Sequence, residues 1–180
     1  MRQKAIYALS LLVAFYGSLV MGMYFYQGRL QFDPDPERVS PSAVNLSNVA
    51  ELSLETPDQE TLVAWYTKPT PGMPTILFLH GKGGANANRA MRYAYYTSKG
   101  YGLLLPSYRG YGGSSGAPSA GGLGIDAETA YDWLAAQGVA PNDIMVVGES
   151  MGTGLATILA AKRAVGALAL EAPYSSIADI

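Results

Sequence analysis

Gly148-Glu149-Ser150-Met151-Gly152 places a serine between two glycines at the spacing of a tight strand-to-helix turn, a shape that can offer a hydroxyl for nucleophilic attack. Gly148 and Gly152 are needed because a side chain at either would meet the strand and helix packed around the turn. Such a turn lifts the Ser150 hydroxyl out of a sheet, and the N-terminus of the next helix favours negative charge beside it. On spacing alone the signal is weak: with 21 glycines among 180 residues, roughly one such chain in five would carry it by chance. Placement strengthens it, because the motif directly follows the apolar run 143–147 and opens an apolar helix. The competing reading is a glycine-rich turn that joins strand to helix and does no chemistry.

A second turn supplies what a nucleophile needs opposite it. Leu79-His80-Gly81-Lys82-Gly83-Gly84 closes the first buried apolar run, where a backbone N–H can be aimed at a carbonyl oxygen bound over Ser150. The oxyanion hole is assigned to the backbone N–H groups of Met151 and Lys82, which require no particular side chain. Glycine clusters after strands also cradle phosphates. This turn, however, has neither the Gly-x-Gly-x-x-Gly nor the Gly-Lys-Ser/Thr arrangement, and residues 148–154 fail the P-loop pattern too.

The remaining composition narrows the chemistry. Without cysteine there is no disulfide, thiolate metal site or cysteine nucleophile, and the redox compartment stays open. A net charge of −2 with 12 Lys+Arg gives no electrostatic footprint for nucleic acid. Nothing implies a metal or organic cofactor. A serine hydroxyl attacks poorly unless a base takes its proton, and the one histidine, His80, precedes Ser150 inside the oxyanion turn.

These residues need a scaffold, and the pattern around them supplies one. Segments 49–55 and 61–67 alternate and flank Thr56-Pro57-Asp58-Gln59-Glu60, which reads as an antiparallel hairpin. The runs 75–79, 101–105, 143–147 and 167–170 are short and almost wholly apolar, as strands buried on both faces are. Helices are expected at 88–98, with Met91, Ala94, Tyr95 and Ser98 on one face, and at 126–137, with Ala127, Ala130, Tyr131 and Leu134. A third is expected at 151–164, with Leu155, Ile158 and Leu159 inward, and Gly100, Gly138 and Gly166 stop the three. The Gly/Ser-rich stretch 110–124 reads as a strand-to-helix loop. The order predicts an α/β fold: a mostly parallel sheet preceded by an antiparallel hairpin.

Ahead of the sheet, residues 5–26 carry no charge and would form a helix about 33 Å long, enough for a hydrocarbon core of about 30 Å. Tyr7 at one end and Tyr24, Phe25 and Tyr26 at the other stand where interfacial anchors belong. An uncleaved transmembrane anchor embedded in the lipid bilayer is preferred to a cleaved signal, because no small-x-small site stands out near 22–28. Arg2, Lys4 and the terminal amine precede the segment and Arg29 and Arg38 follow it, a slight positive-inside bias toward a cytoplasmic amino terminus and an exported domain. Residues 27–47, with Asp33-Pro34-Asp35-Pro36 and Pro41, read as an extended linker, and 48–180 as the globular domain.

The set "LFLHGKGGANANR", "SYRGYGGSSGAP", "VVGESMGTGLA" and "ALEAPYSS", in that order, resembles the alpha/beta-hydrolase superfamily, especially its serine-aminopeptidase-like, membrane-anchored members. The resemblance runs from about residue 30 to 180. It implies hydrolysis of a small-molecule ester, thioester or amide through an acyl-enzyme on Ser150. One departure is Ser107, where such proteins commonly carry an aspartate of structural importance, which puts the geometry of the following loop in question. In this fold the triad runs Ser, then Asp or Glu, then His. The resemblance makes His80 structural and places the acid after a later strand than the one before Glu171; Asp179 has no motif support. Both triad partners and the lid would then lie past residue 180. The chain reads as about two-thirds of the domain, nearly inactive by itself, with 167–170 left as an unpaired apolar edge. The competing class is a membrane-tethered binding domain that uses the same pocket without catalysis.

Overall fold

A computed structural model of the chain describes residues 2–175, with the backbone alone given at 27–30. Asp179 lies outside the described residues. Two compact units divide at residue 32.

The first unit is helix α1, Arg2–Gln31. Its stretch Arg2–Tyr26 has a mean hydropathy of 1.8 and none of it is buried, so it is long and apolar enough to cross a membrane.

The second unit is an α/β sheet. Its strands are β1 Asp33–Pro34, β2 Ala50–Glu55, β3 Thr61–Thr67, β4 Thr75–Leu79, β5 Gly83–Gly84, β6 Gly102–Pro106, β7 Ile144–Glu149 and β8 Ala167–Glu171. Helices α2 (Ala90–Ser98), α3 (Ala120–Ala136) and α4 (Met151–Lys162) connect them. The main sheet runs β2-β3-β6-β4-β7-β8. β2 and β3 form the expected antiparallel hairpin, β3 pairs antiparallel with β6, and β6, β4, β7 and β8 are mutually parallel. β4 and β6 are buried at every position, as strands covered on both faces must be. Ile76, Phe78, Leu103 and Leu105 form one core with Trp65, Val147 and Tyr93 of α2. Strand alternation turns Leu77, Leu79 and Leu104 to the opposite face, where α3 and α4 pack.

The structure corrects several expectations. The sheet-bearing unit begins at Asp33 rather than 48. Asp33 and Pro34 pair with Gly83 and Gly84, Pro41 is buried, and Val44 and Leu46 pack against the core, so most of 27–47 belongs to the domain. Helix α3 starts at Ala120, inside the stretch read as loop. The Ser119 hydroxyl caps it by accepting from Gly122 N–H at 3.1 Å, and Gly122 backs onto the Arg109 side chain, so tertiary contact overrides the low helix propensity of glycine. The face of α2 bearing Met91 and Tyr95 points to solvent, with Met91 89% exposed, and Tyr93 is the buried anchor. Ile158 is likewise 52% exposed, while Leu155 and Leu159 are buried as expected. Among the described residues β8 pairs only with β7, and its Leu168 and Leu170 are each 40% exposed.

Candidate active site

Strand β7 delivers the chain into a sharp bend. Ser150 has φ 50° and ψ −116°, a conformation costing about 1–3 kcal/mol for a non-glycine residue, and then caps α4. Three bonds hold it: Ser150 N–H donates to Glu171 O at 2.8 Å, while Ser150 O accepts from Thr153 N–H at 2.9 Å and from Thr153 Oγ1 at 2.6 Å. The two flanking glycines are there because of backbone approach. A Cβ on Gly148 would lie 2.5 Å from Gly152 O and 2.7 Å from Thr153 Cα; one on Gly152 would lie 2.6 Å from the carbonyl carbon of Leu79 and 2.8 Å from His80 O. Neither neighbour is a flexible side chain, so neither can yield cheaply.

The neighbouring strand β4 ends in the His80-Gly81-Lys82 turn. A Cβ on Gly81 would be 3.4 Å from both Ser150 Cβ and Glu149 O, so this turn lies against the serine bend. Its carbonyls are tied down from outside. Tyr108 Oη–H donates to His80 O at 3.0 Å, Tyr111 Oη–H donates to Lys82 O at 2.8 Å, and Asp33 N–H reaches Lys82 O at 3.3 Å. Two donors therefore fix the peptide that follows Lys82, and Lys82 N–H stands in the same turn against the serine bend. The Met151 N–H is the first of α4 and by helix geometry has no intrahelical acceptor. Backbone N–H groups beside a strained serine can stabilise a developing oxyanion.

His80 cannot act as base from where it lies. The ring is fully buried, stacked 4.2 Å from Tyr108, with Nδ1 2.7 Å from Gly81 O. Burial, then the nearby Arg89 guanidinium, lowers its pKa to about 3, so the imidazole stays neutral and fixed in place. Glu171 is also committed elsewhere. Its carboxylate takes both Arg92 guanidinium nitrogens, one at 2.9 Å, which lowers its pKa. Ser107 is fully buried, and backbone bonds hold its loop: Ser107 N–H donates to Val63 O at 2.8 Å, and Ser107 O accepts from Ser114 Oγ at 2.9 Å. The loop therefore keeps its path without an aspartate side chain at 107.

Two clusters around these turns could not be anticipated from the motifs. Arg109 bridges the hairpin turn and α3: it donates to Asp126 from N, Nε and Nη2 at 2.8, 2.9 and 2.7 Å, and to Asp58 Oδ2 at 2.7 Å. Burial raises the Asp126 pKa, whereas the hydrogen bonds from Arg109 and then Thr56 push that of Asp58 far below the usual carboxylate range. Arg89, packed under the 81–85 turn, is the second. Neither could be read from spacing, since their carboxylate partners Asp58, Asp126 and Glu149 are far away in sequence. The Tyr-Arg-Gly-Tyr string was visible, but nothing in it says which carbonyls its hydroxyls reach. Among the described residues no group of three His, Cys, Asp or Glu could hold a metal.

Strand order, crossover pattern and a serine bend beside a glycine-rich turn are together the layout of alpha/beta hydrolases. The family model described as alpha/beta hydrolase fold matches residues 74–179, and the chain belongs to that family. It is 33% identical over 182 residues to the uncharacterized protein Rv2307c of Mycobacterium tuberculosis, covering 99% of this chain and 65% of that protein. It is 31% identical to protein bem46 of Schizosaccharomyces pombe, covering 96% of this chain and 58% of that one. Over 123 residues it is 36% identical to the lysophosphatidylserine lipase ABHD12 of Danio rerio, covering 64% of this chain and 32% of the lipase. An alpha-beta hydrolase from Vibrio vulnificus superposes with a TM-score of 0.60 at 30% identity, covering 71% of this chain and 46% of that structure. The chain thus spans less than two thirds of the length of these relatives.

Proposed function

We propose that the protein is a serine hydrolase anchored in a membrane by α1, with Ser150 as nucleophile and the N–H groups of Met151 and Lys82 as the oxyanion hole. The observation that carries this reading is the strained bend at Ser150, φ 50°, lying against the 80–82 turn whose carbonyls are tied away from it. In the reaction Ser150 Oγ attacks the substrate carbonyl carbon and gives its proton to a base. The oxyanion forms against the two N–H groups, then collapses to an acyl-enzyme as the protonated leaving group departs. Water attacks the acyl carbon, loses its proton to the same base, and releases the acid and free Ser150.

His80 is not assigned as that base, because it is buried and neutral. The relatives named lysophosphatidylserine lipase favour a lipid ester over a thioester or amide as substrate. An extracytoplasmic domain is the orientation we favour, on Arg2, Lys4 and the terminal amine ahead of the segment against Arg29 and Arg38 after it.

The test is hydrolysis of a monoacyl glycerophospholipid by the protein expressed from its complete reading frame in membranes. Activity that survives Ser150→Ala would overturn the assignment. Release of the protein from membranes by alkaline carbonate would overturn the anchor.

A further inference from the structure

We infer that Arg89 is a positioning residue that clamps the 81–85 turn to the Ser150 bend and so fixes where the Lys82 N–H points, an inference that rests on the proposed role of Ser150. Arg89 Nη1 donates to Gly83 O at 2.6 Å and reaches Ala85 O at 3.4 Å. Its Nη2 and Nε face the two carboxylate oxygens of Glu149, each at 3.4 Å. Glu149 directly precedes Ser150, and Gly83 directly follows Lys82, so one planar group holds a neighbour of each proposed catalytic position. The guanidinium stands just behind the place where the turns meet: a Cβ on Gly81 would be 3.4 Å from Ser150 Cβ and 3.6 Å from Arg89 Nη2.

Three further features fit a clamp better than a surface ion pair. The Arg89 side chain is only 11% exposed, whereas a solvated pair would leave the arginine free to move. Gly84 adopts φ +71°, a left-handed conformation within the turn whose Gly83 carbonyl meets Arg89. The fork shape also matters, because a lysine ammonium presents a point charge and cannot span a carbonyl and a carboxylate in one plane. The charge has its own effect. An unpaired Glu149 carboxylate one residue from the nucleophile would oppose the negative charge developing on the substrate oxygen, and Arg89 offsets it.

The test compares wild type, Arg89→Ala, Arg89→Lys and a control, Arg163→Ala, whose arginine pairs with Asp132 and Glu128 elsewhere on the surface. Each is expressed from the complete reading frame and assayed for ester hydrolysis and for fluorophosphonate labelling. Both Arg89 variants should lose ~100-fold in kcat with KM within threefold, the scale of misplacing an oxyanion donor. Millimolar guanidinium should restore at least tenfold to Arg89→Ala, and Arg163→Ala should match wild type. Arg89→Lys keeps the charge and guards against a folding failure; it should melt close to wild type while the amides of 82–85 exchange faster with solvent. Wild type labelled at Ser150, with Arg89→Lys turning over within threefold of it, overturns the clamp alone. Wild type that takes no label at Ser150 overturns the Ser150 reading, and the clamp with it.

Discussion

A Cβ on Gly152 would stand 2.6 Å from the carbonyl carbon of Leu79, so the helix that follows Ser150 lies directly against the end of strand β4. Backbone on both sides leaves no side chain to move aside. Gly152→Ala should therefore lose about 3 kcal/mol of stability or shift the bend. Gly124, in α3 with nothing within 4 Å of its would-be Cβ, is the counterpart: Gly124→Ala should gain about 0.5–1 kcal/mol from helix propensity. Urea unfolding of the two variants checks both signs.

The neutral His80 sets a slope of stability on pH. Its pKa falls from an ordinary 6.5 to about 3 in the folded protein, so below 6.5 the unfolded chain binds a proton that the native state refuses. Stability should decline by about 1.4 kcal/mol per pH unit as pH drops from 6.5 toward 3, and this contribution is fully present above 6.5. Denaturant unfolding across that range in wild type and His80→Gln measures it: the variant should show the shallower decline.

Asp58 and Asp126 share Arg109 but should respond differently to removal. Asp126 is fully buried, and Asp126→Ala leaves Arg109 N–H and Nε without their acceptor and Asp58 as the guanidinium's one carboxylate, at a cost of about 1–3 kcal/mol. Asp58 is partly exposed, and its deletion should cost far less at neutral pH. Its pKa is depressed in the folded state, so its contribution is complete above its ordinary 3.8 and is lost as pH falls below that. Melting temperature against pH should therefore fall less steeply in acid for Asp58→Asn than for wild type.

The two tyrosines that tether the candidate oxyanion turn give a milder perturbation. Tyr108→Phe leaves the His80 carbonyl without its buried donor and should cost about 1–3 kcal/mol. Tyr111→Phe removes one of two donors to Lys82 O and should cost less. Chemical denaturation ranks the pair, and an equal effect would speak against Asp33 N–H as the donor that spares Lys82 O.

The sheet was legible because its strands are short apolar runs closed by glycine, proline or charge, a local signal that survives packing. Boundaries moved by a residue or so, as when Pro141–Asp143 became a helical turn and β7 ran from Ile144 to Glu149. Helix α3 was misread at its start because Gly121, Gly122 and Gly124 speak for a loop, and the Ser119 cap and Arg109 contact that overrule them are not local. The outward face of α2 was misread because Met91 and Tyr95 are apolar at helical spacing, yet the sheet takes Tyr93 instead. At the candidate site, motif spacing was enough to bring Gly148, Ser150, Met151, Gly152 and the 80–82 turn into one place. The tethers from Arg89 to Glu149, from Tyr108 and Tyr111 and from Asp33 were invisible, because each joins positions that sequence order keeps apart.

The most direct test of Ser150 as nucleophile is intact and peptide mass spectrometry after treating the protein, expressed from its complete reading frame, with a fluorophosphonate. One phosphonyl adduct on the peptide containing Ser150, lost in Ser150→Ala, is the expected result. An adduct on another residue, or equal labelling of the alanine variant, would contradict it.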